Sequence, residues 1–168
     1  VQFREQLISK TFPENSGFEA AYRFTIDGAV PETISFVLES PELYTITLNG
    51  QPLAWDGSSW WLDKAFGKMD IASLAQSGDN VVEIKANPFS IFHEIASAYV
   101  VGDFSVNAVE SGFVIAESTP IELGSWKPQG MPLYGDAVCY EQSFDVMIAD
   151  GTYILSLPEW YGGSMASL

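Results

Sequence analysis

Basic residues are scarce in this chain of 168: seven Lys plus Arg stand against 22 Asp plus Glu, a formal charge of −15. Nucleic acid and anionic membrane both need cations to displace counterions or to sit against lipid phosphates. Seven dispersed cations argue against either partner. There is one cysteine, Cys139, so no intrachain disulfide can form, and one histidine, His93, so a Cys- or His-rich zinc site is excluded. Cys139 lies in the run Ala137-Val138-Cys139-Tyr140, and the expectation is a buried thiol rather than a nucleophile. No apolar run approaches the roughly 20 residues that span a bilayer, and no basic segment followed by an apolar stretch reads as a signal peptide. The opening residue is Val1 rather than Met, which leads us to expect a processed protein or a piece of a longer one. Long helical periodicity is missing too. Only 71–75 and 91–98 suggest a helical turn, and neither is long enough for a stable helix.

What the chain has in quantity is apolar and aromatic side chains, 47% and 14% of residues, which exclude an acidic disordered tail. The hydrophobic period is two. Bulky residues alternate with Thr and Asn along Tyr44-Thr45-Ile46-Thr47-Leu48-Asn49. Val82, Ile84 and Ala86 alternate with Glu83 and Lys85, and Phe104, Val106 and Ala108 with Ser105 and Asn107. This pattern predicts strands with one buried face. Further strands are expected at 3–8, 20–26, 34–38, 99–101, 113–116, 138–146 and 152–157. Asp27-Gly28, Asn49-Gly50, Asp56-Gly57, Gly78-Asp79, Ser111-Gly112 and Asp150-Gly151 punctuate them with residues that tolerate positive φ. About ten short strands with frequent turns predict an all-β protein, an antiparallel β-sandwich of jelly-roll type, as a single domain over 1–168. A weak internal echo accompanies the pattern. Phe24-Thr25-Ile26, 34–38 and Pro41-Glu42-Leu43 are answered by Phe144-Asp145-Val146, 153–157 and Pro158-Glu159-Trp160.

Catalysis by paired carboxylates would need two acids facing each other across a cleft. Glu42, Asp63, Glu94 and Asp103 lie near aromatic residues, but nothing in the sequence fixes a pair. No Gly-x-Ser-x-Gly and no phosphate-cradling glycine loop occurs. Residues 56–63 carry two acids in a Gly/Ser-rich stretch that could hold a structural Ca²⁺, without the alternating ligands of an EF-hand. No other cofactor is expected.

The aromatic loops are more informative. Trp55, Trp60 and Trp61 fall within one turn-rich segment, Trp126 and Tyr134 within Gly124–Tyr134, and Trp160-Tyr161 form a third group. A flat ring covers the C–H face of a sugar while polar neighbours take its hydroxyls. Trp60, Trp61, Trp126 and Tyr134 are therefore the expected stacking platforms, with Asp63, His93 and Gln129 as hydrogen-bonding partners. Against this, Trp and Tyr also plug the open ends of sandwiches, and the plainer reading of His93 is an interior or rim histidine tied to Glu94 or to a carbonyl. Successive residues of a strand face opposite ways, so at most one of Trp60 and Trp61 should point inward.

The run Leu43-Tyr44-Thr45-Ile46-Thr47-Leu48-Asn49-Gly50-Gln51-Pro52-Leu53, then Met69-Asp70-Ile71, then Ser77-Gly78-Asp79-Asn80-Val81-Val82-Glu83-Ile84, resembles the galactose-binding-like jelly roll of family 2-type glycoside hydrolases. His93-Glu94-Ile95, Tyr99-Val100-Val101-Gly102-Asp103-Phe104 and Gly124-Ser125-Trp126 with Gln129-Gly130-Met131-Pro132-Leu133-Tyr134 resemble sandwich regions of α-L-rhamnosidase-like bacterial enzymes. The resemblance spans 18–161, and the family's return strand with a second Asn-Gly does not follow. It implies a non-catalytic accessory module, secreted or periplasmic, whose partners are a polysaccharide or oligosaccharide and the catalytic domain of a parent enzyme. The other reading is a sandwich that braces a catalytic barrel and has no ligand of its own.

Overall fold

The computed structural model describes residues 6, 8–141, 143–145, 147, 150–154 and 156. The chain divides into two compact units, Val1–Asp136 and Ala137–Leu168, and every strand among the described residues belongs to the first.

That first unit is an all-β sandwich. Its strands are β1 (Phe18–Asp27), β2 (Ile34–Glu39), β3 (Thr45–Leu48), β4 (Gln51–Leu53), β5 (Trp60–Trp61), β6 (Asp63–Asp70), β7 (Gly78–Ala86), β8 (Tyr99–Gly102), β9 (Ser105–Ala108) and β10 (Phe113–Ala116). One sheet runs β4-β3-β7-β1-β10-β9 and the other β5-β6-β2-β8. All pairs are antiparallel except β1 with β10, where Ile26 and Asp27 lie beside Ile115 and Ala116 in parallel. Local alternation carries no information about strand direction, so the sequence could not single out that parallel pair.

The two sheets bury a common core. Ile26, Ile46, Leu48, Val82 and Ile84 of the larger sheet meet Ile34, Phe36, Leu38 and Met69 of the smaller. The Tyr22 and Phe36 rings bridge the layers with centroids 6.0 Å apart. β2 is an inner strand of its sheet, and Ser35 and Val37 are buried on its outer face as well. A buried polar side chain, held by the turns, ties the strands of the larger sheet together. Asn80 is fully buried at the start of β7. Its amide donates to the carbonyls of Gln76 (2.7 Å) and Gly78 (3.0 Å) and accepts from the Gln76 N–H (2.9 Å) and the Asn49 amide (2.9 Å). Asn49, in left-handed conformation at φ 52, also accepts from the Val81 N–H and donates to the Leu74 carbonyl. The Asn-Gly hairpin and the Gly-Asp-Asn strand start are thus two halves of one lock.

The expected strands at 20–26, 34–38, 44–49, 82–86, 99–101, 104–108 and 113–116 all form, with small shifts at their ends. Three strands went unforeseen: β4, β5 and the eight-residue β6. In β6 the inward position between Ala65 and Met69 is Gly67, because Pro41 and the Trp55 ring occupy the space a side chain would need. With a glycine there, alternation is invisible. Residues 71–75 make a single turn closed by Ala75 N–H to Ile71 O (2.8 Å). The expected strands at 138–146 and 152–157 carry no strand at their described residues; 142, 146, 155 and 157 lie outside the description, as does most of 3–8. Cys139 is exposed rather than buried, with no strand at the described residues around it. No helix among the described residues is long and apolar enough to cross a membrane.

Candidate functional site

The segment 54–62 leads from β4 to β6 and is shaped by its own side chains. The Trp55 indole N–H donates to the Ser59 carbonyl (2.6 Å), which also accepts from the Lys68 N–H (3.0 Å). Trp55 packs against the core, so this ring holds the loop in place. Asp56 accepts from the N–H groups of Ser58 (2.7 Å) and Ser59 (2.8 Å) and from the Ser59 hydroxyl (2.7 Å). These bonds, with those from Ser59 foremost, hold its carboxyl well below the usual carboxylate range. A group depressed in this way supports its turn above the unfolded value near 3.8 and loses that support as pH falls toward the folded value. Carboxyl carbon NMR across an acid titration should therefore find Asp56 protonating well below the ordinary aspartate value near 3.8, with the Ser58 and Ser59 amide shifts following it. An Asp56 midpoint at or above that value would contradict this geometry.

The constrained loop delivers Trp60 and Trp61 to the edge of the smaller sheet. Trp60 is 50% exposed. A register shift at the pair, followed by Leu62 at φ 62, turns Trp61 the other way. Its ring meets Tyr99 at 5.3 Å between centroids, and Tyr99 meets Phe66 at 6.3 Å. Pairing fixes which face this is. Val37 stands opposite both Tyr99 and Lys68, and Glu39 opposite Phe66, while the intervening Phe36, Leu38 and Met69 point into the core. Trp61, Tyr99 and Phe66 therefore form an aromatic layer on the outer face of the β5-β6-β2-β8 sheet. The sequence singled out Trp61 alone, because Tyr99 and Phe66 read as ordinary strand residues until pairing put them side by side. Asp63 starts β6, accepts from the Ala65 N–H (2.8 Å) and is exposed.

Glu39 connects this face to a groove of about 310 Å³ lined by Glu39, Ser40, Glu42, Leu43, Tyr44, Phe92 and Glu94. Two tyrosines fasten its far wall. The Tyr44 hydroxyl donates to the Glu94 carbonyl (2.8 Å) and accepts from its N–H (3.0 Å). The Tyr22 hydroxyl donates to the Ala96 carbonyl (2.7 Å), and burial, then the neighbouring Tyr44, push this phenol up. His93 sits behind that wall. Its Nδ1 accepts from the Ser90 N–H (2.8 Å), which leaves the proton on Nε2 to be donated to the Leu43 carbonyl (2.8 Å). With both ring nitrogens engaged and the rings of Phe18, Tyr44 and Phe89 around it, His93 positions the groove wall. Of the four acids near aromatics in the sequence, Glu42 and Glu94 line this one groove, and Asp63 and Asp103 do not.

Gln129, Trp126 and Tyr134 occupy the loop after β10. The Gln129 amide donates to the carbonyls of Glu122 (3.1 Å) and Ser125 (2.9 Å) and accepts from the Glu122 N–H (2.7 Å), so both of its donors bridge backbone. The Trp126 indole donates to the Tyr134 carbonyl (3.3 Å), and the Gly130 carbonyl accepts from Val106 of β9 (2.6 Å). Trp126 is half-buried and Tyr134 exposed. Among the described residues no three His, Cys, Asp or Glu side chains converge as a metal site, and the Asp56 carboxylate of the anticipated Ca²⁺ loop is taken up by Ser58 and Ser59.

A scan against protein-family models matched none, and a search of curated proteins found no similar sequence. The chain is thus defined by what it presents: an all-β sandwich with an aromatic layer on one outer face and a carboxylate-lined groove beside it.

Proposed function

We propose that this chain is a non-catalytic carbohydrate-binding module that tethers a polysaccharide-degrading enzyme to its glycan. The observation that carries the reading is the aromatic layer Trp61-Tyr99-Phe66, with half-exposed Trp60 at its edge, adjoining the Glu39-Glu42-Glu94 groove. Flat rings accept the apolar face of a pyranose, and carboxylates accept hydroxyl donors in pairs. The platform thus centres on Trp60 and Trp61, with Asp63 exposed beside them, and adds Tyr99 and Phe66. Trp126 and Tyr134 lie in the loop after β10, joined by the Trp126 indole bond to the Tyr134 carbonyl, while His93 and Gln129 serve as positioning residues through backbone bonds. The proposal extends the resemblance to the galactose-binding-like jelly rolls of family 2-type and α-L-rhamnosidase-like bacterial enzymes, and with it an extracellular or periplasmic setting.

Single-site affinity should be weak, on the order of 10 µM to 1 mM, and effective through linkage to a catalytic domain. Affinity electrophoresis against a panel of neutral polysaccharides should show retardation by at least one of them. Trp61→Ala and Tyr99→Ala should each weaken it about tenfold, equivalent to about 1.4 kcal/mol, with the thermal transition kept. A folded wild type that no glycan retards would remove this reading. The alternative of a bracing sandwich draws on the same exposed rings; it predicts that they are covered by a catalytic domain and indifferent to every sugar.

A further inference from the structure

We infer that Asn49 is a site of spontaneous deamidation, held off by the Asn49–Asn80 lock and made irreversible once the lock has opened. Asn49-Gly50 is the single Asn-Gly step in the sequence, and the chemistry needs that pair. The Gly50 backbone nitrogen attacks the Asn49 side-chain carbon Cγ. Its proton passes through water to Nδ2, the Cγ–Nδ2 bond breaks, and ammonia leaves. Water then opens the succinimide ring at either carbonyl, giving aspartate or the isomer whose main chain runs through the side chain. Glycine presents no Cβ to obstruct the attack. Of the other four asparagines, Asn15, Asn80 and Asn107 precede residues with side chains, and Asn87 precedes a proline, which has no N–H.

Burial does not protect the pair, for Asn49 is half-buried and Gly50 exposed. Bonding does. Nδ2 of Asn49 donates to the Leu74 carbonyl (3.2 Å) and to Oδ1 of Asn80 (2.9 Å), while Oδ1 of Asn49 accepts from the Val81 N–H (3.0 Å). The Asn49 N–H is held as well, by the Val81 carbonyl (2.9 Å). Ring closure must turn Cγ toward the Gly50 nitrogen and carry Nδ2 away, so it waits for these bonds to break. The product does not rebuild them. An aspartate has acceptors only, and it sets a charged oxygen against two more acceptors, the Leu74 carbonyl and Oδ1 of Asn80. The isomer also adds a backbone atom to the two-residue loop between the paired Leu48 and Gln51, which disturbs their register. Each opening that leads to reaction therefore leaves a permanent mark on the hairpin.

Peptide mass spectrometry on the 168-residue chain in mildly alkaline buffer tests this, reading replacement of the Asn49 amide by a carboxyl. In denaturant Asn49 should convert first of the five asparagines, and in the folded chain at least about 30-fold more slowly. Asn80→Ala, which removes one bond of the lock, should speed conversion in the folded chain about 5- to 30-fold. Across low urea concentrations the wild-type rate should rise in step with hydrogen exchange of the Val81 amide, which the same opening frees. That measurement decides the matter even where Asn80→Ala does not fold. Asn49→Asp, the product made directly, should lower the thermal transition. Equal rates in the folded and denatured chain overturn the inference, as does a rate indifferent to Val81 exchange. An Asn49→Asp chain that melts with the wild type overturns its irreversible part.

Discussion

Phe36→Ala should lower the unfolding free energy by about 3–5 kcal/mol, a large share of the roughly 5–15 kcal/mol that holds a domain of this size together. Phe36 is 1% exposed and is the largest fully buried side chain among the described residues. It sits on an inner strand of the smaller sheet, between Met69 on β6 and Val100 on β8, with the Tyr22 ring of the opposite sheet above it. Truncation removes the transfer free energy of the ring and leaves a void that two hydrogen-bonded sheets cannot close by sliding together. Urea unfolding followed by tryptophan emission should show the midpoint falling with an unchanged slope. A loss of under about 1.5 kcal/mol would mean that the layers collapse onto the gap, and the packing described above would need revision.

Asn80→Ala should cost about 1–3 kcal/mol, although it deletes only an amide. The substitution removes the buried partner of the Gln76 N–H, the Asn49 amide and the carbonyls of Gln76 and Gly78, groups only partly screened from water. Asn49→Ala removes the Val81 and Leu74 bonds as well as the shared one. The double variant should therefore be less damaged than the sum of the singles, with a coupling of about 1–3 kcal/mol. Strict additivity would show that the two asparagines act separately.

The lock between Asn49 and Asn80 shows how far the sequence reaches. Asn-Gly read as a hairpin and Gly-Asp-Asn as a strand start, and both are so. That the two side chains meet depends on β3 lying beside β7, which is a property of pairing. The same limit governed the aromatic surface. Trp60 and Trp61 were visible as a tryptophan pair in a turn-rich stretch, whereas Tyr99 and Phe66 joined them only across strands. β6 escaped notice because Gly67 holds its central inward position, Pro41 and Trp55 supplying the missing bulk from elsewhere. His93 and Gln129 were legible as polar residues among aromatics, but their partners are backbone groups, which no residue pattern displays. Conversely, 138–146 and 152–157 have the strand period without a described strand, since alternation nominates a strand and a neighbour makes one.

The parallel contact of β1 with β10 bears on how the molecule is born. On the ribosome, β1 emerges ahead of the other strands described in this sandwich, yet Ile26 must wait for Ile115 before that side of its sheet is occupied. Nearly the whole sandwich must be synthesised while its opening strand offers a bare flank to any passing chain. Such delayed closure slows maturation and favours shielding by chaperones until Ala116 has left the exit tunnel.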